Sequence, residues 1–309
     1  MFEENRYYRT TRLVRKDTEP VDSSHGHQHL NDQLWSGRVL GSFRSLQPLH
    51  VGTGQYVPPQ SVGIESDVPL LKSFHQVDGR LIVPGSSLKG PIRSLVEAMT
   101  HSCVSKSSAR LDRDNYGECR YNSQRRRGEI CIACKLFGAM GYQGQIHFAD
   151  APLIEGGSAI HYIPPQYQPK GSRERRHYPH DLQDRRDPTW PLEVATAGSR
   201  FAYHIRYENL SPAELGLLLI ALGAGNPPLC LKIGAGKSSG LGAIHFQEVN
   251  AQKLILPDLY RSYSSEGAWQ DVDAAECVQA AEQERSLLRQ DALSRLQDDL
   301  DCSHFKEAP

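Results

Sequence analysis

The chain has 309 residues, of which 39% are hydrophobic, so it is long enough to bury the core of one or two domains. Its formal net charge is −1, with basic clusters at residues 125–127 and 173–177 and an acid-rich C-terminus, so any binding of nucleic acid must depend on a local patch. No segment reads as a signal peptide or a membrane span. We therefore expect a cytoplasmic protein that does not contact a membrane, with cysteines that are reduced thiols or metal ligands.

Residues 1–36 are polar and contain the sequence "HGHQH", with His25, His27 and His29 at alternating positions. Histidines at this spacing can hold a metal, but the neighbouring sequence defines no ligand geometry. A loosely packed N-terminal arm is the expectation for this segment.

A strand is predicted from Ser36 onward, and a second, "RLIVPG", runs directly into the helix of "VPGSSLKGPIRSLVEAM". The start of a helix has unpaired backbone N–H groups and a partial positive charge, so small residues followed by Lys89 suit an anion such as phosphate. Ser86 or Ser87 can cap the helix, and Arg93 adds a second cation. An ordinary capped turn is the alternative.

The segment after this helix contains "CIAC", in which Cys131 and Cys134 have the spacing that lets two thiolates bind one zinc ion. Cys103 and Cys119 precede them and complete a four-sulfur structural site, with His101 as an alternative to Cys103. A redox pair is the competing interpretation, but no thioredoxin-like context surrounds the motif. The remaining three cysteines are expected to be ordinary thiols: Cys230, Cys277 and Cys302.

Further strands are predicted at residues 142–151 and 198–208, a serine-capped helix at 211–225, and a last strand in "GLGAIHFQEV". This order of elements predicts an α+β, ferredoxin-like sandwich with large insertions. Residues 160–192 form a proline-rich insertion in which arginines and aromatic residues alternate, a composition that suits phosphates and unstacked bases. A solvated loop is the alternative.

A second glycine-rich loop, "GAGKSSGLG", precedes the last strand, and Lys237 lies within it. Its backbone N–H groups can face a phosphate chain. One such loop is weak evidence, whereas two at opposite ends of the predicted core are better explained together by an extended polyanion.

Three segments, "IVPGSSLKGPIRSLVEAM", "CKLFGAMGYQGQIHFADA" and "GAGKSSGLGAIHF", resemble the signature segments of the RAMP superfamily. More narrowly, they resemble the Cas-seven-type (Csm/Cmr-like) backbone subunits of type III CRISPR effector complexes. The resemblance implies a modified RNA-recognition-motif core over residues 37–250, in which the proline-rich insertion (155–197) would be a thumb-like element. The zinc-binding segment (100–135) lies within this core, and a polar arm (1–36) and an acidic helical tail (251–309) are expected on either side of it.

The resemblance further implies that the chain binds a CRISPR guide RNA paired to a target RNA, beside other subunits of the effector complex. Base pairing would supply sequence specificity, while the protein holds the backbone. The implied phosphate contacts come from the helix turn (Ser86, Ser87, Lys89 and Arg93) and from the C-terminal glycine loop (Gly234, Lys237 and Ser238).

Active members of this family cut target RNA with a loop aspartate, and "ESDVPLLKS" places Asp67 at that position. Such an aspartate can bind Mg²⁺ or help to deprotonate a 2′-hydroxyl, which then attacks the adjacent phosphorus. Glu65 lies close by and can share this role. Two alternatives remain: an architectural subunit without cleavage, or a guide-processing endonuclease that uses histidine, for which the candidates are His50, His177 and His180.

Overall fold

A computed structural model describes most of the chain, in these ranges: 8–20, 27–105, 111–112, 114–122, 127–166, 175–180, 186–261 and 268–302. Parts of several sequence features lie outside the described residues, namely His25, Arg125, Arg126, Arg173 and, within the proline-rich insertion, residues 167–174 and 181–185.

Nineteen strands are present in the described residues, in this order: β1 (Arg9–Thr11), β2 (Glu19–Pro20), β3 (Trp35–Ser45), β4 (Gly52–Val57), β5 (Leu71–Phe74), β6 (Gln76–Val77), β7 (Arg80–Val83), β8 (Tyr121–Asn122), β9 (Arg127–Ile130), β10 (Ile146–Phe148), β11 (Ala151–Glu155), β12 (Ser158–Ile163), β13 (Arg175–His177), β14 (Trp190–Ala195), β15 (Arg200–Leu210), β16 (Leu231–Lys232), β17 (Ala243–Phe246), β18 (Asn250–Leu254) and β19 (Trp269–Val272). The α-helices are α1 (Gly85–Met99), α2 (Ile132–Phe137), α3 (Pro212–Leu219), α4 (Leu256–Arg261), α5 (Ala274–Gln283) and α6 (Gln290–Leu300).

The main sheet is built around the long antiparallel pair β3 and β15. On its other edge β3 pairs with β17 and β18, and β15 pairs on its other edge with β10 and β11. Side chains alternate between the two faces of each strand, and on the inner face Val39, Phe43 and Phe201 are fully buried. The rings of Phe43 and Phe201 stack with their centroids 5.2 Å apart, which stabilises the pairing of β3 with β15. The result is a mixed α/β core, with an amphipathic α1 that buries Leu88 and Ile92.

The helix α3 follows β15 and begins at a capping box, as the serine cap in the sequence predicts. The Ser211 hydroxyl accepts the backbone N–H of Glu214, and the Glu214 carboxylate accepts that of Ser211. Helix α5 packs closely on α3, since a Cβ added at Gly216 would lie 2.0 Å from the carbonyl oxygen of Cys277. The C-terminal residues thus contribute β18, β19, α5 and α6 to the packed structure, where α6 contacts α1.

A smaller sheet has the order β12-β14-β5-β4. Here the hairpin β12 and β14, which belongs to the insertion, joins the β4–β5 hairpin through a parallel contact of Leu192 with Lys72. The loop that carries Asp67 connects β4 to β5. The insertion and the aspartate loop are therefore parts of one sheet.

The structure corrects one expectation about the cysteines. Cys230 and Cys302 form a disulfide across 72 residues of sequence, so the prediction that both are ordinary thiols is wrong. Neither residue has a motif spacing that marks it for pairing; the fold brings them together through a bridge between Leu229 and Asp301. Among the described residues, no helix has the length and apolar composition needed to cross a membrane.

Candidate nucleic-acid interface and cysteine cluster

The first glycine-serine turn forms the start of α1, but the helix is capped differently from the prediction. Neither Ser86 nor Ser87 caps it; instead the backbone N–H of Gly85 donates to the Asp150 carboxylate at 2.8 Å. Gly85 is required here because an added Cβ would lie 2.3 Å from the carbonyl oxygen of Phe148. The N-terminal turn of α1 therefore already holds one carboxylate.

The side chains beyond this cap differ in how available they are to a ligand. Ser86 is exposed, while Ser87 and Lys89 are half-buried. Burial, together with the nearby charge of Arg93, lowers the pKa of Lys89 from its ordinary value. A bound phosphate would favour the charged form and so offset this shift, which makes Lys89 suited to meet an anion at this turn.

The side chain of Arg93 extends toward the cysteine cluster. Its guanidinium donates to Glu97 at 2.7 Å, to the carbonyl oxygen of Gly138 at 2.7 Å and to the sulfur of Cys134 at 3.5 Å. Glu97 is buried and also pairs with Arg175 at 2.7 Å. The guanidinium of Arg93 is thus engaged at the cysteine cluster, although its charge still acts on Lys89 one helical turn away.

The second glycine-rich loop packs against the segment that follows β3. Gly234 has a φ of +74°, and an added Cβ would lie 2.1 Å from the carbonyl oxygen of His50, so only glycine fits. Burial lowers the pKa of Lys237 to about 8. The hydroxyl of Ser238 donates to the side-chain oxygen of Gln166 at 3.3 Å, which connects the loop to the insertion.

The loop between β4 and β5 presents Asp67 and Glu65 as exposed side chains. Within the described part of the chain, the Asp67 carboxylate makes no hydrogen bond or ion pair, and so it is open to a metal ion or a hydroxyl group. At the base of the loop the ammonium group of Lys72 lies 4.6 Å from the ring of Trp190 and 5.5 Å from that of Tyr56. Trp190 belongs to the insertion, so these contacts hold the aspartate loop beside it.

Four arginines, which the sequence analysis missed, lie opposite one another on the central strands. Arg38 faces Arg206 and Arg44 faces Arg200, on the side of the sheet opposite the buried Val39. We call this side the arginine face. Directly opposed like charges destabilise a sheet, so such pairs indicate a surface that meets an anionic partner. In the sequence, the two arginines of each predicted strand are an even number of positions apart, which indicates that they share one face of that strand. Only the register shows that the arginines of one strand lie opposite those of the other.

Nearby groups neutralise the arginine face only in part. Arg38 donates to Gln252 at 2.8 Å and its guanidinium lies 4.0 Å from the ring of Trp269. Arg206 is 3.7 Å from Glu208, with an exposed side chain. Arg200 lies 3.5 Å from Glu155, and the four cations form two pairs, one near each end of the β3–β15 ladder.

The three histidines proposed for guide processing have structural surroundings. His50 is buried and its Nδ1 donates to the carbonyl oxygen of Glu193 at 2.6 Å, and burial lowers its pKa. His177 lies on β13, with Nε2 at 2.6 Å from Asp299, and His180 is also buried. His177 thus belongs to the two-stranded β1–β13 sheet, whereas His50 lies in the segment between β3 and β4, and all three histidines are buried.

All four predicted cysteine ligands lie together in the core. The sulfurs of Cys103, Cys119, Cys131 and Cys134 are within 4.8 Å of one another, and that of Cys103 is 3.4 Å from that of Cys134. Hydrogen bonds from the other three sulfurs, first from Cys103, lower the pKa of Cys131. A tetrahedral zinc with Zn–S bonds of about 2.3 Å needs sulfurs about 3.8 Å apart, so the cluster fits this ion. Cys103, and not His101, belongs to the cluster.

Together these features define a mixed α/β protein with a basic sheet face and a buried cysteine cluster. The family model of the RAMP superfamily matches residues 42–245, and the chain belongs to this family. Among solved structures, it is similar to one described as "Cryo-EM structure of the Type III-B Cmr-beta bound to cognate target RNA", with 17% identity and a TM-score of 0.40. The match covers 71% of this chain and 61% of that one. No match to a curated protein was found.

Proposed function

We propose that this RAMP-superfamily chain is a guide-RNA-binding backbone subunit of a type III CRISPR effector complex, and that it cuts complementary target RNA at Asp67. The observation that carries the proposal is the arginine face, in which two pairs of like charges oppose each other along neighbouring strands. A phosphate backbone supplies the anions that such an arrangement needs.

A ferredoxin-like core of the RNA-recognition-motif type is part of this proposal. The strand order across the central sheet supports it, because β17 and β18 lie along one edge of β3, and β15, on the other edge of β3, pairs in turn with β10 and β11. Helix α1 lies between β3 and β10 in the chain, directly after β7, and α3 directly follows β15, which is the order expected for two interleaved strand-helix-strand units with extra strands inserted in the first. The arginine face is then the sheet surface left open for RNA.

The two glycine-rich turns extend the proposed contact. Lys89 at the start of α1 and Lys237 in the C-terminal loop each have a pKa lowered mainly by burial. A phosphate that approaches either lysine would stabilise its charged form. Ser86, Ser87, Gly234 and Ser238 supply hydroxyl or backbone groups at the same two turns. Arg93 acts in this proposal through the cysteine cluster, where it anchors α1.

For cleavage, Asp67 would position Mg²⁺ or accept the proton of a target 2′-hydroxyl, whose oxygen attacks the adjacent phosphorus. The leaving 5′-oxygen takes a proton, and the products carry a 2′,3′-cyclic phosphate and a 5′-hydroxyl. General base catalysis contributes about 10²- to 10⁴-fold, so much of the rate depends on holding the target nucleotide in line. The insertion shares a sheet with the aspartate loop and is suited to that task as a thumb.

The architectural subunit remains the second candidate, because no second catalytic side chain except Glu65 accompanies Asp67 in the described loop. In both cases we propose the cytoplasm as the location, with guide RNA, target RNA and other effector subunits as partners. A histidine-dependent processing nuclease has less support, since His50 and His177 are engaged in buried hydrogen bonds.

The test is cleavage of a labelled, guide-complementary RNA by the assembled complex with Mg²⁺, comparing wild type with Asp67→Ala and Glu65→Gln. We expect Asp67→Ala to lose cleavage by about 100-fold or more with unchanged guide binding, because only the reacting group is removed. Glu65→Gln tests the shared role, because a loss of cleavage in this variant as well would assign the chemistry to both carboxylates. Equal cutting by wild type and Asp67→Ala would refute the catalytic role, and absence of cutting by a guide-loaded wild type would favour the architectural subunit.

A further inference from the structure

Three potential metal ligands lie together at one edge of the arginine face, away from the cysteine cluster. They are His27, His147 and Glu208, and one ligand atom of each lies within 4.8 Å of the others. His147 is on β10 and Glu208 on β15, whereas His27 precedes β3 and belongs to the histidine-rich sequence near the N-terminus. The group therefore connects three separate segments of the chain.

Both ring nitrogens of His27 face hydrogen-bond acceptors. Nδ1 is 2.8 Å from a carboxylate oxygen of Glu208, and Nε2 is 3.1 Å from the carbonyl oxygen of Gln143. A neutral imidazole has a single N–H, so it can satisfy only one of these acceptors. If Nε2 donates to the carbonyl, as metal-binding histidines commonly do, the lone pair of Nδ1 faces the carboxylate and requires a cation between them.

His147 supplies a second, independent observation. Its Nε2 is buried and has no hydrogen-bond partner among the described residues, and its ring lies edge-on to that of His27 with centroids 5.9 Å apart. A buried nitrogen without a partner is costly, which indicates a ligand not yet accounted for. The other two members of the cluster, His27 and Glu208, are the polar side chains beside this nitrogen.

We propose that His27, His147 and Glu208 form a second metal site, which takes a divalent transition metal such as zinc and fastens the N-terminal segment to the sheet. Two imidazoles and one carboxylate suit zinc and leave a coordination position for water. Bonds of about 2.0–2.2 Å place tetrahedral ligand atoms roughly 3.3–3.5 Å apart. Nδ1 of His27 already lies 2.8 Å from the Glu208 carboxylate and no two of the ligand atoms are more than 4.8 Å apart, so a small rotation of the exposed His27 is enough to complete the site.

The zinc content of the purified full chain, equilibrated with micromolar zinc, tests the proposal directly. We expect two zinc ions per wild-type chain and one per chain for His147→Gln and Glu208→Gln, which leave the cysteine cluster intact. His75→Gln is the matched control, since it removes a half-buried histidine outside the cluster, and it should keep two. Cobalt substitution gives a separate readout, because thiolate-to-cobalt absorption should persist in all variants while the weaker bands of the nitrogen and oxygen site disappear.

Limited proteolysis of the N-terminal segment distinguishes a metal from a proton. At pH 8 an ordinary histidine is neutral, so the proposal predicts that zinc protects wild type, and not His147→Gln, from cleavage. Circular dichroism establishes that the variants remain folded. Equal zinc content in wild type and both ligand variants would overturn the proposal, as would protection that appears only at low pH and without dependence on zinc.

Discussion

Lys237 lies in a loop that leaves its ammonium group little contact with water. Burial lowers its pKa from 10.5 to about 8, so its charge titrates close to neutral pH. Between these two values the unfolded chain binds more protons than the folded chain, and this residue's contribution to stability therefore rises with pH. The affinity for phosphate instead falls as pH rises, because binding of the anion needs the charged form of Lys237.

We predict that guide-RNA affinity of the chain falls as pH rises from 7 to 9, because Lys237 loses its proton over that interval. Fluorescence anisotropy with labelled guide RNA at constant ionic strength measures the change. Lys237→Arg keeps its charge throughout and should flatten the profile. The role of Lys237 in binding would be disproved if Lys237→Arg showed the same pH dependence as wild type, while Lys89→Arg did not.

At the scale of elements, the cysteine cluster holds the irregular chain between α1 and β10. Cys103 and Cys119 come from loops, Cys131 precedes α2 and Cys134 lies within it. Arg93 donates to Cys134, and so the same cluster anchors α1. A structural metal here would stabilise contacts that regular secondary structure does not supply.

Removal of zinc is therefore predicted to destabilise the protein. A chelator, or Cys134→Ser, should lower the thermal midpoint by about 5–10 °C, which corresponds to a loss of a few kcal/mol in a domain of this size. Cys277→Ser is the control, since Cys277 is a buried free thiol outside the cluster. Differential scanning fluorimetry with metal analysis measures both quantities; a midpoint that is the same with and without bound metal would contradict the structural role.

The elements that sequence reasoning predicted correctly depend on local chemistry. The cap of α3 requires only Ser211 and Glu214, three residues apart, and the cysteine cluster could be inferred from the short spacing of Cys131 and Cys134. The features that it missed depend on long-range contacts. Asp150 caps α1 from 65 positions away, and Cys302 reaches Cys230 across 72. A periodic pattern contains no information about such contacts.

At the scale of the molecule, a net charge of −1 conceals a division of charge between surfaces. The arginine face brings together cations from β3 and β15, while acidic residues are frequent in the C-terminal helices. The sequence contains all of these arginines, yet their pairing could be known only from the register. Electrostatic binding to a polyanion therefore depends on the fold more than on composition.

This division predicts how RNA affinity changes with salt. Arg44→Ala and Arg206→Ala should each weaken guide binding to a similar degree for any sequence, and each should reduce the slope of log K against log salt by about 1, since each removes one phosphate contact. Neither should lower the thermal midpoint appreciably, because removing one member of an opposed pair relieves repulsion. Filter binding from 50 to 400 mM salt, with thermal melting in parallel, measures both effects.

Arg261→Ala, an exposed arginine on α4, is the control and should change neither quantity. If Arg44→Ala, Arg206→Ala and Arg261→Ala all gave the wild-type slope, RNA would have to bind away from the arginine face.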